Sequence, residues 1–187
     1  MDQSNLWFLC CIPIFTIGAS TTALYYVSFK LIRNEEGNIT KQFFTAFRSN
    51  FKKATLIWLP LLGLGILFGI DGYVLYHIRL ENVFWTLCGA VLICAGVVYL
   101  IVLLNVFPLF ARFENTIPAT FKNALVMGLR YLFCSILMAV VYFVIYYVII
   151  NIFTPFIVFG QGLGALICSW LILPILERLE NNKDDVL

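Results

Sequence analysis

The stretch VFWTLCGAVLICAGVVYLIVLLNVFPLFA, residues 83–111, carries no charged side chain. A helix needs about 20 apolar residues to cross the ~30 Å hydrocarbon core of a bilayer. This run exceeds that length, so it reads as a transmembrane helix. Working outward, residues 54–70, 131–153 and 155–176 are equally free of charge. Residues 6–32 form a fifth apolar region, with Lys30 at its end and Pro13 and Gly18 inside. They read either as one kinked helix or as a short piece ending near Pro13, followed by a helix from about Thr16. The expected fold is all-α: a polytopic membrane helix bundle of about five transmembrane helices, joined by cytoplasmic amphipathic elbow helices. One membrane domain fills residues 1–187, with residues 177–187 as a short polar tail.

Composition agrees. Of 187 residues, 62% are hydrophobic and 12% charged, about half the usual charged share of a soluble domain. In water such a chain would expose large apolar patches, so the lipid bilayer is the expected partner and no nucleic acid is. The N-terminal sequence MDQSNLWFLC lacks the basic start of a cleaved signal peptide. Cys10, Cys11, Cys88, Cys94, Cys134 and Cys168 all lie in apolar runs without a C-x-x-C pair. They read as packing residues rather than as metal ligands or a disulfide framework.

Orientation follows from Lys and Arg. Lys30, Arg33, Lys41, Arg48, Lys52 and Lys53 surround the first loop. Arg112, Lys122 and Arg130 surround the third, and Arg178 and Lys183 lie in the tail. Arg79 alone falls in an opposite loop. The basic loops and the C-terminus are therefore expected in the cytoplasm, with Met1, residues 71–82 and the turn near Asn151 outside. Trp7, Trp58, Trp85 and Trp170 fall near expected helix ends, where an aromatic belt would sit.

Residues 38–53 follow Gly37 and have helical periodicity. Phe43, Phe44, Phe47 and Phe51 share one face; Lys41, Thr45, Arg48 and Lys52 share another. Such a helix lies in the membrane interface. It serves either as an elbow orienting the next span or as a docking surface, for which Arg48, Lys52, Lys53, Phe47 and Phe51 are the candidate contacts. A faint repeat pairs Phe51-Lys52-Lys53-Ala54 with Phe121-Lys122-Asn123-Ala124. It suggests a unit used twice, over residues 1–70 and 83–153, followed by the last span. Thr116 and Pro118 are start signals for a second elbow.

Chemistry is sparse. His77, the sole histidine, sits in an expected outside loop with no partner for nucleophilic catalysis. The four later spans hold no carboxylate or lysine that would mark an ion path. Their polar residues are Asn105, Ser135, Gln161, Ser169 and the tyrosines Tyr142, Tyr146 and Tyr147. Asn105 is expected to serve carbonyls freed by Pro108. Gly160 and Gly164 form a G-x-x-x-G pair extended by Cys168, and Gly65 and Gly69 form another; such faces allow close helix contact, either within the chain or in a homo-oligomer. Gly160-Gln161-Gly162-Leu163-Gly164 is no nucleotide loop, because it lies inside an apolar span. Arg112 and Glu114 are expected to form an interfacial ion pair. No catalytic, cofactor-binding or metal-binding residue is expected, and no enzymatic activity.

Three stretches together resemble the YesL family of bacterial membrane proteins, whose molecular function is unknown. They are residues 11–20 (CIPIFTIGAS) running into Ala23-Leu24-Tyr25-Tyr26, residues 43–54, and Ala111-Arg112-Phe113-Glu114-Asn115-Thr116 with Lys122-Asn123-Ala124. Family members carry a longer part before the Pro-x-x-Thr-Ile-Gly stretch than the dozen residues here. Genes of this family commonly lie beside sugar-importing ABC transporters. The resemblance therefore implies an accessory or assembly role in carbohydrate uptake, with permease or ATPase subunits as partners, in the bacterial cytoplasmic membrane. The alternative is a self-sufficient small-solute transporter or channel.

Overall fold

The computed structural model describes residues 3–35, 37–77, 83–113, 116–151 and 157–184, and the side chains of these except 3–14, 157–159 and 181–184. All regular structure among them is helical: α1 (Gln3–Ile32), α2 (Ile39–His77), α3 (Val83–Arg112), α4 (Ile117–Arg130), α5 (Leu132–Asn151) and α6 (Ile157–Asp184). Four of these, α2, α3, α5 and α6, contain segments long and apolar enough to cross a membrane. The fifth long helix, α1, runs 30 residues in one piece through Pro13, so its two-piece alternative is not adopted.

Local chemistry explains the boundaries. α1 ends in a Schellman motif. The Asn34 N–H bonds the Leu31 carbonyl at 3.2 Å and the Glu35 N–H bonds the Lys30 carbonyl at 3.0 Å. Asn34 takes the left-handed conformation this needs, with φ 54°. Gly37 follows, and the Gln42 side-chain amide packs in the space a Cβ there would take. α2 is then capped by Asn38, whose Oδ1 accepts the Lys41 N–H at 3.3 Å. α4 starts at Thr116 with a proline in its first turn, as the start signals predict.

Two elements differ from expectation. The amphipathic segment 38–53 is helical but is not a separate elbow: α2 continues without a break into the span and on to His77. No glycine or proline stands between Asn38 and Pro60 to stop it, and Gly72-Tyr73-Val74-Leu75-Tyr76 carries the helix into the expected outside loop. At about 1.5 Å per residue, its 39 residues reach roughly 58 Å, well beyond the hydrocarbon thickness. In the second half the elbow and span are separate. Tyr131 leaves helical geometry, with φ −114° and ψ 49°, between α4 and α5. The other difference is at the C-terminus, where α6 runs to Asp184 and makes residues 177–184 helical rather than a tail.

α1, α3 and α6 end on the same side of the bundle, where Arg33 meets Glu177 and Arg112 meets Glu180, and α2 starts there. α3 is central and touches every other helix, while α1 packs chiefly on α2 and also on α3 and α6. At their closest approach, a Cβ on Gly18 would lie 2.7 Å from the Ala54 carbonyl and 2.7 Å from Trp58 Cβ. Trp58 thus acts as packing as well as a boundary residue, with its ring 6.1 Å from that of Phe107. The core gathers Tyr25, Ile57, Leu61, Val106, Phe107, Met138, Cys168, Ile172 and Leu176. This core lies towards the end of the bundle that holds the α1–α2 loop and the C-termini of α3 and α6, called the basic end below. Towards the far end, α2 and α3 expose Leu67, Ile70, Tyr73, Val83, Leu87, Val91 and Ile93. That is the pattern of a hairpin solvated by acyl chains rather than by water. Ala54 and Ala124, paired by the sequence repeat, are both fully buried.

Candidate functional site

An open cleft of about 530 Å³ lies at the basic end, between α2, α1 and the end of α3. One face of α2 supplies Lys41, Gln42, Thr45, Ala46, Ser49, Asn50 and Lys53; α1 supplies Tyr26; α3 and the residue after it supply Phe110 to Phe113. The steps of four from Lys41 to Thr45, Ser49 and Lys53 place these groups one above another on the helix. Ala46, which is buried, lets the neighbouring helices approach, while the polar groups open outward. Thr45 donates to the Lys41 carbonyl, and Ser49 and Asn50 both donate to the Ala46 carbonyl. These bonds hold the side chains against their own helix and leave their oxygen lone pairs available.

Arg112 closes one side. Its Nη2 donates to Glu180 of α6 at 2.6 Å, while its Nε is buried without a partner among the described residues. Glu114, the expected partner of Arg112, lies outside the described residues. A second clasp joins Arg33, after α1, to Glu177 at 3.1 Å. Both acids are one turn apart on the helical extension of α6. They tie its end to the exits of α1 and α3, a pairing across more than 60 residues of sequence that no local spacing announces.

The sequence-derived candidates are therefore divided. Lys53 and Arg112 come together at the cleft. Arg48 and Lys52 are exposed on another side of α2 and do not line it. Phe47 and Phe51 form a ladder, with ring centroids 5.5 Å apart, and pack partly against the core, whereas Phe44 remains exposed. Gly160 and Gly164 are buried at the opposite side of the molecule. A Cβ on Gly164 would meet Ile145 and Tyr142 of α5, at 3.0 and 3.1 Å, so this glycine packs within the chain. Gly65 lies under the Tyr99 hydroxyl, which donates to the Leu61 carbonyl, while Gly69 faces open space. Sequence reasoning grouped Lys41 and Thr45 with Arg48 and Lys52, which the cleft separates, and missed Tyr26, Ser49, Asn50, Glu177 and Glu180. The four-residue step of Lys41, Thr45, Ser49 and Lys53 was the available signal.

Inside the bundle, polar groups mostly satisfy one another. Asn105 Nδ2 donates to the Ile101 carbonyl at 2.8 Å and to Ser135 Oγ at 2.9 Å, and Ser135 donates to the Gly128 carbonyl at 3.3 Å. Asn105 thus does not serve the carbonyl that Pro108 frees. It joins α3 to the junction of α4 and α5, where the break at Tyr131 leaves carbonyls in need of donors. The Tyr25 and Tyr142 hydroxyls are 3.0 Å apart, and Gln161 donates to the Tyr146 hydroxyl at 2.7 Å. His77 sits at the end of α2, with Nδ1 3.0 Å from the Tyr73 carbonyl and its ring against Tyr73.

Neither the curated proteins nor the solved structures give a match to this chain. Residues 3–72, which cover α1 and most of α2 and so one wall of the cleft, match the model of an uncharacterised family described as a protein of unknown function, DUF624.

Proposed function

We propose that this protein is a non-enzymatic accessory or assembly component of a membrane transport system, with its basic end in the cytoplasm. The observation that carries this reading is the separation of its chemistry. Mobile charge is gathered at one end, on a cleft and an exposed basic face of α2, while buried polar groups between the spans are largely used up in bonds among themselves. Such a molecule is built to be held in a bilayer and to be touched at one end. The resemblance to the YesL family, whose members belong to DUF624, suggests that the system is a bacterial carbohydrate ABC importer, with a permease or ATPase subunit as the partner. Arg48 and Lys52, exposed outside the cleft, are the docking contacts this reading requires. Affinity purification of the tagged protein in mild detergent should recover importer subunits near stoichiometry, and Arg48→Glu with Lys52→Glu should abolish that recovery while insertion is retained. Recovery of the protein alone would overturn the reading.

A second reading, a self-sufficient small-solute transporter, is favoured by one observation. The Tyr25–Tyr142 and Tyr146–Gln161 bonds set a file of polar groups along α1, α5 and α6. Flux of candidate sugars into liposomes containing the purified protein alone is its test, and absence of flux would sink it.

A further inference from the structure

The cleft has a chemistry that docking by the outer face of α2 does not use. Among the described residues its lining holds three cations, Lys41, Lys53 and Arg112, and no carboxylate. Neither lysine makes an ion pair with a described residue. Arg112 is committed to Glu180 through Nη2 only, and its buried Nε–H has no acceptor. The Arg112 side chain is 17% exposed where it lines the cleft, and a guanidinium donates most strongly to an anionic oxygen. Hydroxyl and amide groups of Thr45, Ser49 and Asn50 lie between the lysines.

Position narrows the ligand. α2 and α3 run antiparallel and meet at Trp58 and Phe107. Lys53 precedes Trp58 by as many residues as Arg112 follows Phe107, so the two cations stand at the same height. That height is the boundary between the polar extension of α2 and its charge-free span, beside Phe110 and Phe113. Lys41 lies roughly 18 Å farther along α2. The cleft is therefore elongated, with a two-cation end at the headgroup level of a bilayer and a one-cation end farther out.

We propose that this cleft binds a phosphate-bearing anion, held by Lys53 and Arg112 at its inner end with the hydroxyl groups and Lys41 beyond, and that the anion is the headgroup of an anionic phospholipid of the surrounding leaflet. The phosphodiester takes the inner pair of cations, the polar headgroup substituent extends along Thr45, Ser49 and Asn50, and the acyl chains return to the bilayer past the phenylalanines.

The test is native mass spectrometry of the full chain released from nanodiscs of mixed phosphatidylcholine and phosphatidylglycerol, with the retained phosphatidylglycerol measured. Lys53→Gln and Lys41→Gln remove cleft cations at exposed positions; Arg48→Gln and Lys52→Gln make the same charge change off the cleft. Retention of phosphatidylglycerol over phosphatidylcholine should fall about fivefold for Lys53→Gln, and less for Lys41→Gln, while the off-cleft variants behave as the parent. Displacement by millimolar inorganic phosphate, with no preference for phosphatidylglycerol, would uphold the phosphate site and overturn its lipid source. Equal losses in all four variants, or no binding of either probe, would overturn the proposal. Each outcome stands apart from the recovery of importer subunits, which depends on Arg48 and Lys52.

Discussion

Gly18 and Gly63 show how the same residue type does opposite things. At Gly18 a methyl group would press on the backbone of Ala54 and on Trp58 Cβ, and backbone cannot move aside cheaply. At Gly63 a methyl group meets nothing. Gly18→Ala should therefore destabilise the protein by about 1–3 kcal/mol through overpacking. Gly63→Ala should stabilise by about 0.5 kcal/mol or leave it unchanged, since alanine is the better helix former. Thermal unfolding in detergent, followed by fluorescence-detected size exclusion, measures both. Asn105 belongs to the same scale. Removing its amide in Asn105→Ala leaves Ser135 without its donor, a loss of about 1 kcal/mol by the magnitudes of interhelical hydrogen bonds in membranes. Ser135→Ala should cost about the same, and the double variant less than the sum, because the two side chains share one bond.

Among the elements, the last turns of α6 are tied to α1 and α3 by two acids, beside Leu179, which packs partly against the core. Glu180 bonds the largely buried Arg112 and Glu177 the more exposed Arg33. Ion pairs at exposed positions contribute little. Glu177→Gln should change stability by less than about 0.5 kcal/mol, and Glu180→Gln by about 1 kcal/mol, since it withdraws the partner of a poorly solvated guanidinium. Hydrogen exchange of residues 177–184 should accelerate more in Glu180→Gln than in Glu177→Gln. Equal acceleration would mean that the two clasps are equivalent and that burial of Arg112 adds nothing.

For the whole molecule, the arrangement separates a packed basic half from a far hairpin of α2 and α3 whose apolar side chains face outward. Insertion with the basic end in the cytoplasm puts eleven of the twelve Lys and Arg residues on that side. In a cysteine-free background, a membrane-impermeant maleimide applied to intact cells should label His77→Cys. It should reach Arg48→Cys only after the membrane is breached. The reverse pattern would invert the orientation and move the cleft to the outer leaflet.

The sequence by itself determined that the chain is helical and made for lipid, and roughly where two of the spans lie, α3 over Val83–Arg112 and α5 over Leu132–Asn151. Runs of charge-free residues report directly on the solvent a segment prefers, and that preference is set residue by residue. The break before α2 and the start of α4 were legible for the same reason, since Gly37, Thr116 and Pro118 act on their immediate neighbours. The continuity of α2 was half visible: periodicity runs on past Lys53, but nothing local states whether a helix bends at a membrane surface. What only the tertiary structure decided was which faces meet. It joined Lys53 to Arg112 across one cleft, left Arg48 and Lys52 outside it, turned Gly164 onto α5, and gave Arg112 to Glu180. Those pairings depend on the rotation of each helix about its axis. That rotation is fixed by packing among the small buried residues Gly18, Ala46, Ala54, Ala124 and Gly128, and no single segment contains it.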